Sequence, residues 1–389
     1  MGLPKVTVNI TNGALGTSPA NEDGVSGLVV TATAVTGLSL ATPTLINSLK
    51  DAEDLGLTAT ATAFAHRQIK GFYDGYNLIT GSQVAPLYLM TLVNTATLTN
   101  MADKDVATGA IKLLDYAAGK IRLLGLGRSP GVYAPTITEG IDPDSLTALP
   151  KAQILGNTYA AAAKPLRILI EGRMFLFANL GSLADLRTHS ENRAGIVLGS
   201  SLNDGSADVG FALGVAAALR VQQNIGRVKN GPLLPISNAY IGDTAVKSFA
   251  SLDTIHDKGY MFYRYFPNRD GYYFNDDPMA AATSDDYSQL GRGRVIDKAH
   301  RITYRVYTNE INDDFVAETG GKLSEGTITY LESQIETAVL REMEGEISNF
   351  RCVIDPAQNV VSTNKVKIKG KIRPRGYFKD IDVDLGFEL

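Results

Sequence analysis

The chain has 389 residues, of which 44% are hydrophobic, and its formal net charge is −4. This length and composition predict a globular protein of about two or three domains, and the charge disfavours a general nucleic-acid-binding surface. No basic segment followed by an apolar run opens the sequence, and no apolar run approaches ~18 residues. We therefore predict neither a signal peptide nor a membrane-spanning helix, and we expect the protein to fold in a cytoplasm.

The first predicted element in chain order is a strand near the N-terminus. Val6, Val8 and Ile10 alternate there with polar residues. Alternation with a period of two is typical of a half-buried β-strand. The following residues, 14–40, are rich in small side chains and predict an extended segment with one short strand at 27–33.

Strand and helix signals then alternate over about 40–280. Apolar strands are predicted at 86–93, 120–124, 166–175 and 194–199, and helices at 42–56, 61–73, 105–118, 144–163, 180–188 and 208–224. This alternation predicts an α/β domain whose sheet is covered by helices on both faces. Residues 259–275 predict a hairpin that turns at 268–271, and its tyrosines are interpreted as packing residues.

A smaller α+β domain is predicted after a polar, acidic link at 276–286, which we interpret as solvated. It contains a helix at 293–308, a strand at 350–355, and between them an amphipathic helix with Leu331, Ile335, Val339 and Met343 on one stripe. The predicted division is an N-terminal arm at 1–20, an α/β domain at 21–280, an α+β domain at 281–375 and a C-terminal arm at 376–389.

Residues 366–389 form two alternating segments of opposite charge. The first carries Lys367, Lys369, Lys371 and Arg373, and the second, after a turn at 374–376, alternates aspartates with Ile381, Val383, Leu385 and Phe387. Within one chain these segments predict a hairpin with opposite charges side by side. Between chains, the same complementarity selects a partner. A third possibility pairs the N- and C-terminal strands in one closed sheet, but unpaired edge strands invite another chain, so strands at both ends favour partners.

Motifs for catalysis or cofactor binding are weak. Gly125-Leu126-Gly127 follows a predicted strand but lacks the later glycine of a phosphate loop, so it is interpreted as a plain loop. Residues 199–201 lack the second glycine of a nucleophile elbow and lead into a turn capped by Ser206 or Asp208. The 4 histidines lie in unrelated contexts, and the 1 cysteine, Cys352, sits in an apolar run typical of a buried thiol. We predict no enzyme, no cofactor and no metal site.

The order of these elements resembles the contractile phage tail sheath proteins, in the branch related to Mu-like phages, and the related sheaths of phage-tail-like injection particles. Besides the N-terminal strand and the helix at 331–343, the resemblance rests on LKDAEDLG at 49–56, APLYLM at 85–90, GRGRVIDK at 291–298 and IRPRGYFKDIDV at 372–383. It spans nearly the whole chain. Its motifs are defined by the spacing and pattern of residue types more than by particular functional residues.

The resemblance implies a structural subunit that polymerises with itself into stacked hexameric rings around an inner tail tube protein. The sheath contracts to drive the tube through a target cell envelope. Baseplate and tail terminator proteins are further implied partners, without nucleic acid, cofactor or membrane insertion. The implied location is a virion tail or phage-tail-like particle assembled in the cytoplasm of the bacterial host.

The sheath hypothesis also assigns roles to residues, the arm strands from the resemblance and the other two sets from charge and backbone freedom. The arm strands that add to neighbouring subunits hold Val6, Val8, Ile10, Ile381, Val383, Leu385 and Phe387. The basic stripe of Lys367, Lys369, Lys371 and Arg373 would face a partner, either an acidic strand or an acidic tube. Gly13, Gly16 and Gly376 would act as hinges, because glycine tolerates unusual backbone angles.

Two other functions compete with a sheath. Strand-helix alternation alone also fits an α/β nucleotide-binding protein or enzyme, although fold class says little about function. Another self-assembling shell or tube protein fits strands at both ends of the chain equally well.

Overall fold

The computed structural model describes residues 22–132 and 137–387. The predicted N-terminal strand with Val6, Val8 and Ile10 lies outside these residues, as do the predicted hinges Gly13 and Gly16.

The described residues contain short and long strands throughout. They are β1 (Ser26–Thr31), β2 (Thr44–Ile46), β3 (Leu87–Leu92), β4 (Leu123–Gly127), β5 (Arg167–Glu171), β6 (Ser190–Glu191), β7 (Ala194–Val197), β8 (Gly199–Ser200), β9 (Tyr240–Ile241), β10 (Thr244–Ala245), β11 (Tyr263–Arg264), β12 (Tyr273–Phe274), β13 (Ala280–Ala281), β14 (Ala317–Glu318), β15 (Lys322–Leu323), β16 (Ile347–Ile354) and β17 (Ile368–Pro374). The helices are α1 (Leu49–Asp54), α2 (Ala63–Thr80), α3 (Leu98–Ala102), α4 (Ala110–Tyr116), α5 (Pro143–Ala161), α6 (Val209–Ala218), α7 (Leu252–Asp257), α8 (Leu290–Thr308), α9 (Glu325–Glu342) and α10 (Val360–Thr363).

The main body is built on a six-stranded sheet in the order β2-β3-β1-β4-β5-β7. Its neighbours from β3 to β7 are parallel, and only β2 runs antiparallel at one edge. Gly27 in β1 faces Leu113 of α4, whereas Gly125, paired with the next residue Leu28, faces Leu213 of α6. Because successive strand residues face opposite sides, α4 and α6 cover opposite faces. This confirms the prediction of a mixed α/β fold.

Helices α2 and α6 pack with their backbones in close contact. A Cβ atom added at Gly210 or Gly214 would lie 2.0 Å from the carbonyl oxygen of Gln68 or Phe72. The Gln68 side chain also donates to the Ala207 carbonyl and accepts from the Gly210 amide, each at 2.8 Å. Glycine is therefore required at both positions in α6, because any larger side chain would force the helices apart.

Several sequence predictions about the main body are wrong in detail. The helix predicted at 180–188 is two short 3₁₀ helices, Phe177–Ser182 and Leu186–Thr188. The segment Gly125-Leu126-Gly127 is part of buried strand β4 and is neither a loop nor a phosphate loop. The single helix predicted at 42–56 is instead β2 followed by α1, because Thr44–Ile46 pairs with β3 and Ser48 caps the helix that follows. The helix predicted at 208–224 is shorter than expected, because α6 ends at Ala218. By contrast, the predicted hairpin is confirmed by the antiparallel pairing of β11 with β12.

The C-terminal part has its own hydrophobic core. Helices α8 and α9 pack against the two-stranded sheet of β16 and β17. The core residues include three members of the predicted stripe and their partners: Val295, Ile302, Ile335, Val339, Met343, Ile347, Phe350 and Cys352. The fourth member, Leu331, lies in a smaller cluster with Leu323, Ile354 and Val360. Cys352 is buried, as predicted.

A buried ion-pair cluster joins the C-terminal part to the main sheet. The Arg167 guanidinium, in β5, donates to both carboxylate oxygens of Asp297 in α8, at 2.7 and 3.1 Å, and to the Gly293 carbonyl at 3.0 Å. Arg193 donates to the same carboxylate at 3.1 Å. Arg167 is fully buried, so the cluster is shielded from solvent.

We expect substitution Arg167→Met to lower the free energy of unfolding by about 3 kcal/mol, because it leaves the buried Asp297 carboxylate with a single cationic partner. Denaturant unfolding followed by circular dichroism measures this change. The matched control is Lys50→Met, which removes the fully exposed pair with Asp54 and should leave the midpoint unchanged. Equal midpoints for the two variants would contradict a structural role for the cluster.

Candidate assembly surface

The predicted hairpin between the basic and acidic segments does not form. The basic segment, β17, instead pairs antiparallel with β16, with Arg351 opposite Lys371 and Ile354 opposite Ile368. No strand follows Pro374 among the described residues, so the described part of the acidic segment does not pair with β17. The reason is that β16 offers β17 a partner strand whose inner face is already anchored on α9.

The two edges of this small sheet differ. The backbone amides of Cys352 and Ile354 in β16 donate to the carboxylates of Glu336 and Glu332 in α9, each at 2.6 Å. These two glutamates therefore occupy the outer edge of β16. In an antiparallel pair the opposite positions, such as Gly370, point their own backbone groups outward. Within the described part of the chain, no strand pairs with this outer edge of β17.

The outward face of β17 is basic. Lys369, Lys371 and Arg373 are exposed on it, and Arg351 of β16 lies directly opposite Lys371. None of these four side chains forms an ion pair with another described residue. Like charges placed opposite each other are unfavourable in an isolated sheet. The fourth predicted residue of the stripe, Lys367, is also exposed but precedes the strand, where its amide donates to Gln358 Oε1 at 2.7 Å.

The acidic segment, residues 380–387, carries neither helix nor strand. Its predicted arm residues are all solvent-exposed: Ile381 at 76%, Val383 at 69%, Leu385 at 93% and Phe387 at 104%. Asp380, Asp382 and Asp384 between them are exposed as well. Exposed apolar side chains in a row, flanked by charges, are a feature of surfaces that bind another chain.

The start of the described chain and the residue that follows β17 both contact the turn before β16 or its neighbours. Asp23 lies 2.8 Å from Lys298 Nζ, which also contacts Glu346 at 2.8 Å. From the other end of the chain, Arg375 donates to the Gly345 carbonyl at 2.7 Å. Burial raises the pKa of Asp23, but hydrogen bonding to Lys298 and the nearby arginines bring it below its usual value.

The acidic link is not solvated as predicted. Asp276 and Asp277 are buried, and the Asn224 side-chain amide donates to both carboxylates, at 2.5 and 2.7 Å. The Gly291 amide, at the start of α8, donates to Asp277 at 2.9 Å. The link thus packs between the main body and α8. Gly376 lies nearby with open space around its Cα, and its role as a hinge stays a prediction.

Asp277 and Glu171 predict a pH-dependent stability. Burial raises the pKa of Asp277 to about 8, with the Asp276 charge adding to the effect, and burial raises the pKa of Glu171 to about 7 against the opposing charge of Arg173. Between the unfolded carboxyl pKa and these values the folded state holds protons that the unfolded chain has released. The free energy of unfolding therefore falls as pH rises through this window.

Thermal melting between pH 5 and pH 9 measures this dependence. We expect the melting temperature to fall with pH, and Asp277→Asn to flatten the slope because the amide mimics the protonated acid. The exposed Asp384→Asn is the matched control and should keep the original slope. A slope unchanged in Asp277→Asn would contradict a protonated Asp277 in the folded state.

The carboxyl ends of the central strands, where doubly wound proteins bind ligands, are joined here by the chain's own side chains. The Thr31 hydroxyl, at the end of β1, accepts from the Ser129 amide at 2.7 Å, and Glu171 accepts from the Arg128 amide at 2.6 Å. The Arg128 guanidinium also donates to Asp144 at 2.9 Å. These contacts hold the strand ends together at the position where the rival nucleotide-binding function would place its ligand.

Among residues 22–132 and 137–387, no group of three or more potential metal ligands of the His, Cys, Asp or Glu type comes together. Within the same residues, no helix combines the length and apolarity needed to cross a bilayer.

Comparison with known structures finds the same fold in sheath proteins. The helical sheath of the anti-feeding prophage in its contracted state matches with a TM-score of 0.61 and 14% identity, covering 99% of both chains. The contracted PVC sheath of an extracellular contractile injection system matches with a TM-score of 0.61 and 11% identity, covering 99% of this chain and 98% of that one. A sheath tail protein from Listeria innocua matches with a TM-score of 0.52 and 12% identity, covering 93% and 94%.

These structures are of structural sheath proteins and not of enzymes, and at this level of identity they show the fold. Comparison with curated protein sequences gave no match. The family model described as DUF2586, N-terminal domain, matches residues 3–278, and the model described as DUF2586, C-terminal domain, matches residues 286–389. The chain therefore belongs to the DUF2586 family, and its fold is that of the contractile tail sheath proteins.

Proposed function

We propose that this protein is the structural subunit of a contractile sheath, and that its C-terminal arm, residues 380–389, adds a strand to the outer edge of β17 in a neighbouring subunit. One observation carries the proposal. The same chain presents an open strand edge with a basic face and, separately, an exposed acidic segment with the matching alternation.

Three contributions stabilise such an addition. Backbone hydrogen bonds along the β17 edge contribute about 0.5–1.5 kcal/mol each. The arm's alternate apolar side chains, Ile381, Val383 and Leu385, would extend the inner face to which Ile368 and Ile372 already belong, gaining up to about 1.5–3 kcal/mol each if fully buried. The arm's aspartates would neutralise the repulsion among the basic residues on the outer face.

Each subunit would then donate one arm and accept another, so the contact is heterologous. Repeated heterologous contacts close into rings or continue as helical polymers. Stacked hexameric rings combine these two outcomes, since the arms can link neighbours within a ring and between successive rings. We propose the same donor role for the N-terminal strand with Val6, Val8 and Ile10, because the first described residues lie beside Lys298 and Glu346, next to β16.

The basic face leaves room for a second partner. Strand addition occupies the edge of β17, whereas Lys369, Lys371 and Arg373 project from its flat face. An acidic inner tube is the partner that we propose for any basic side chains that the arm leaves unpaired. The baseplate and a tail terminator are the partners proposed for the two ends of the polymer, and the particle is a virion tail or a phage-tail-like injector assembled in a bacterial cytoplasm.

Contraction in this proposal uses no nucleotide. The work is held as a free-energy difference between two packings of the same subunits, with the extended packing kinetically trapped. Subunit cores would move nearly as rigid bodies while the arms keep them connected. Extended particles would then contract irreversibly on mild heating without added nucleotide, and a requirement for ATP or GTP would contradict this mechanism.

Negative-stain electron microscopy of the purified full chain tests the proposed function. We expect tubes or stacked rings with a central lumen wide enough for an inner tube. Closed shells would favour the alternative self-assembling protein. Only monodisperse monomers at all concentrations, together with a rise of several degrees in melting temperature on adding nucleotide, would favour the nucleotide-binding alternative.

A further inference from the structure

The root of the C-terminal arm, residues 375–379, docks on the body of the subunit. Arg375 donates to the Gly345 carbonyl, and the Tyr377 hydroxyl donates to the Gln222 carbonyl at 2.6 Å. Lys379 forms an ion pair with Asp276. Alternate residues therefore hold the segment, while Phe378 between them is 94% exposed.

The receptor for Lys379 is a buried carboxylate in an unusual setting. Asp276 and Asp277 are adjacent, exposed by only 6% and 0%, and share the Asn224 amide as a donor. Lys379 is the cation that contacts Asp276 directly in the described structure. Its side chain is also the more accessible partner of the pair, so it can leave while Asp276 stays in place.

Other charges near this pair do not replace Lys379. Arg294 directs its guanidinium to the carbonyls of Asp23 and Leu219, and Arg187 donates to the Ala281 carbonyl. Both arginines interact with the aspartates only at longer range. Departure of Lys379 would leave the buried Asp276 carboxylate without the cation that contacts it, which is costly unless Asp276 takes up a proton.

We propose that Tyr377 and Lys379 form a latch that holds the root of the arm on Gln222 and Asp276, and that opening this latch lets the arm change direction between two packings of the sheath. The second part rests on the proposed function. While the latch is closed, the free arm begins after Lys379. When the latch opens, the free arm begins at Gly376. The hinge predicted at Gly376 works only in the open state.

The latch favours an acid-driven opening. Burial raises the pKa of Asp276, and the charge and hydrogen bond of Lys379 bring it below its usual value. Opening removes the Lys379 charge and hydrogen bond, which lower the pKa of Asp276, while the carboxyl group stays buried. Asp276 therefore binds a proton more tightly in the open state than in the closed state. Low pH therefore favours the open latch. The other charged and titratable groups that interact with Asp276 or with the Tyr377 hydroxyl are Asp277, Arg187, Arg292 and Arg294.

Limited trypsin digestion of the full chain, below its assembly concentration, tests the latch without reference to the sheath. We expect Lys379→Met to speed cleavage of the bond after Arg375 about tenfold, because a hydrogen-bonded charge pair is lost and the released segment can enter the protease. Tyr377→Phe should act in the same direction. The matched control, Lys365→Met, removes an exposed lysine without an ion pair in the described structure and should change nothing.

Unchanged cleavage after Arg375 in both latch variants would overturn the latch itself. Its proposed role is tested separately in full-length protein that forms polymers. There Lys379→Met should shift the temperature or pH at which extended particles contract, whereas Lys365→Met should not. Faster cleavage after Arg375 combined with an identical contraction midpoint would show that the latch exists but does not govern the arm, and would overturn its switching role.

Discussion

A chain truncated after Lys379 is expected to remain a folded monomer and to form no polymer. Residues 380–387 make no contact with the hydrophobic cores, so their removal costs the subunit little stability. What the truncation removes is the whole donated strand, with several backbone hydrogen bonds and the burial of its apolar side chains. Sedimentation velocity measures assembly, and thermal melting measures the fold.

The matched control keeps the length and charge of the arm but removes its apolar face. In this variant Ile381, Val383, Leu385 and Phe387 are replaced by serine, and we expect assembly to be lost as in the truncation. Global unfolding of the truncated chain would mean that the segment belongs to its own subunit's core. Normal polymers from the truncated chain would remove the C-terminal arm from the assembly.

Reversing the charge of the basic face should also abolish assembly. Replacement of Lys367, Lys369, Lys371 and Arg373 by glutamate places acidic side chains where the incoming arm brings its own aspartates. The subunit fold should survive, because all four residues are exposed and form no ion pair with the described part of the chain. Sedimentation at low salt, where charge effects are largest, gives the clearest readout.

Restoring complementarity should restore assembly. A variant that also carries Asp380→Lys, Asp382→Lys and Asp384→Lys exchanges the two charges, and we expect it to polymerise again. Reversal of four exposed lysines elsewhere, Lys112, Lys120, Lys164 and Lys229, serves as the control for net charge and should leave assembly intact. Assembly lost in this control as well would attribute the effect to net charge and not to the β17 face.

Much of the fold could be predicted from local patterns. The stripe of Leu331, Ile335 and Val339 predicted a helix packed on a core, and both are present. The buried parallel strands were found from their continuous apolar runs. Boundaries failed where tertiary pairing decided them, as when Thr44–Ile46 joined the sheet edge as β2 and was not part of a helix.

The assembly surface could be predicted only in part. Alternation identified the basic and acidic segments, but no local signal shows that β16 and not the acidic segment pairs with β17. The glutamates that close the outer edge of β16, Glu332 and Glu336, lie on α9 and are distant in sequence. Asp276 and Asp277 were expected in a solvated link for a related reason. Only the folded chain brings the distant Lys379 to Asp276.

The most direct test of the account is a cross-link between the arm of one subunit and β17 of another. One protein carries Lys371→Cys and a second, larger by a fusion tag, carries a cysteine at Asp380, Asp382 or Asp384, both in a Cys352→Ala background that removes the buried native thiol. On mixing and oxidation, we expect a disulfide-linked heterodimer for at least one arm position. When both cysteines are placed in one chain, oxidation should give ladders of linked subunits. A cross-link confined to single chains would contradict strand donation, because it would show that the acidic segment lies beside β17 of its own subunit.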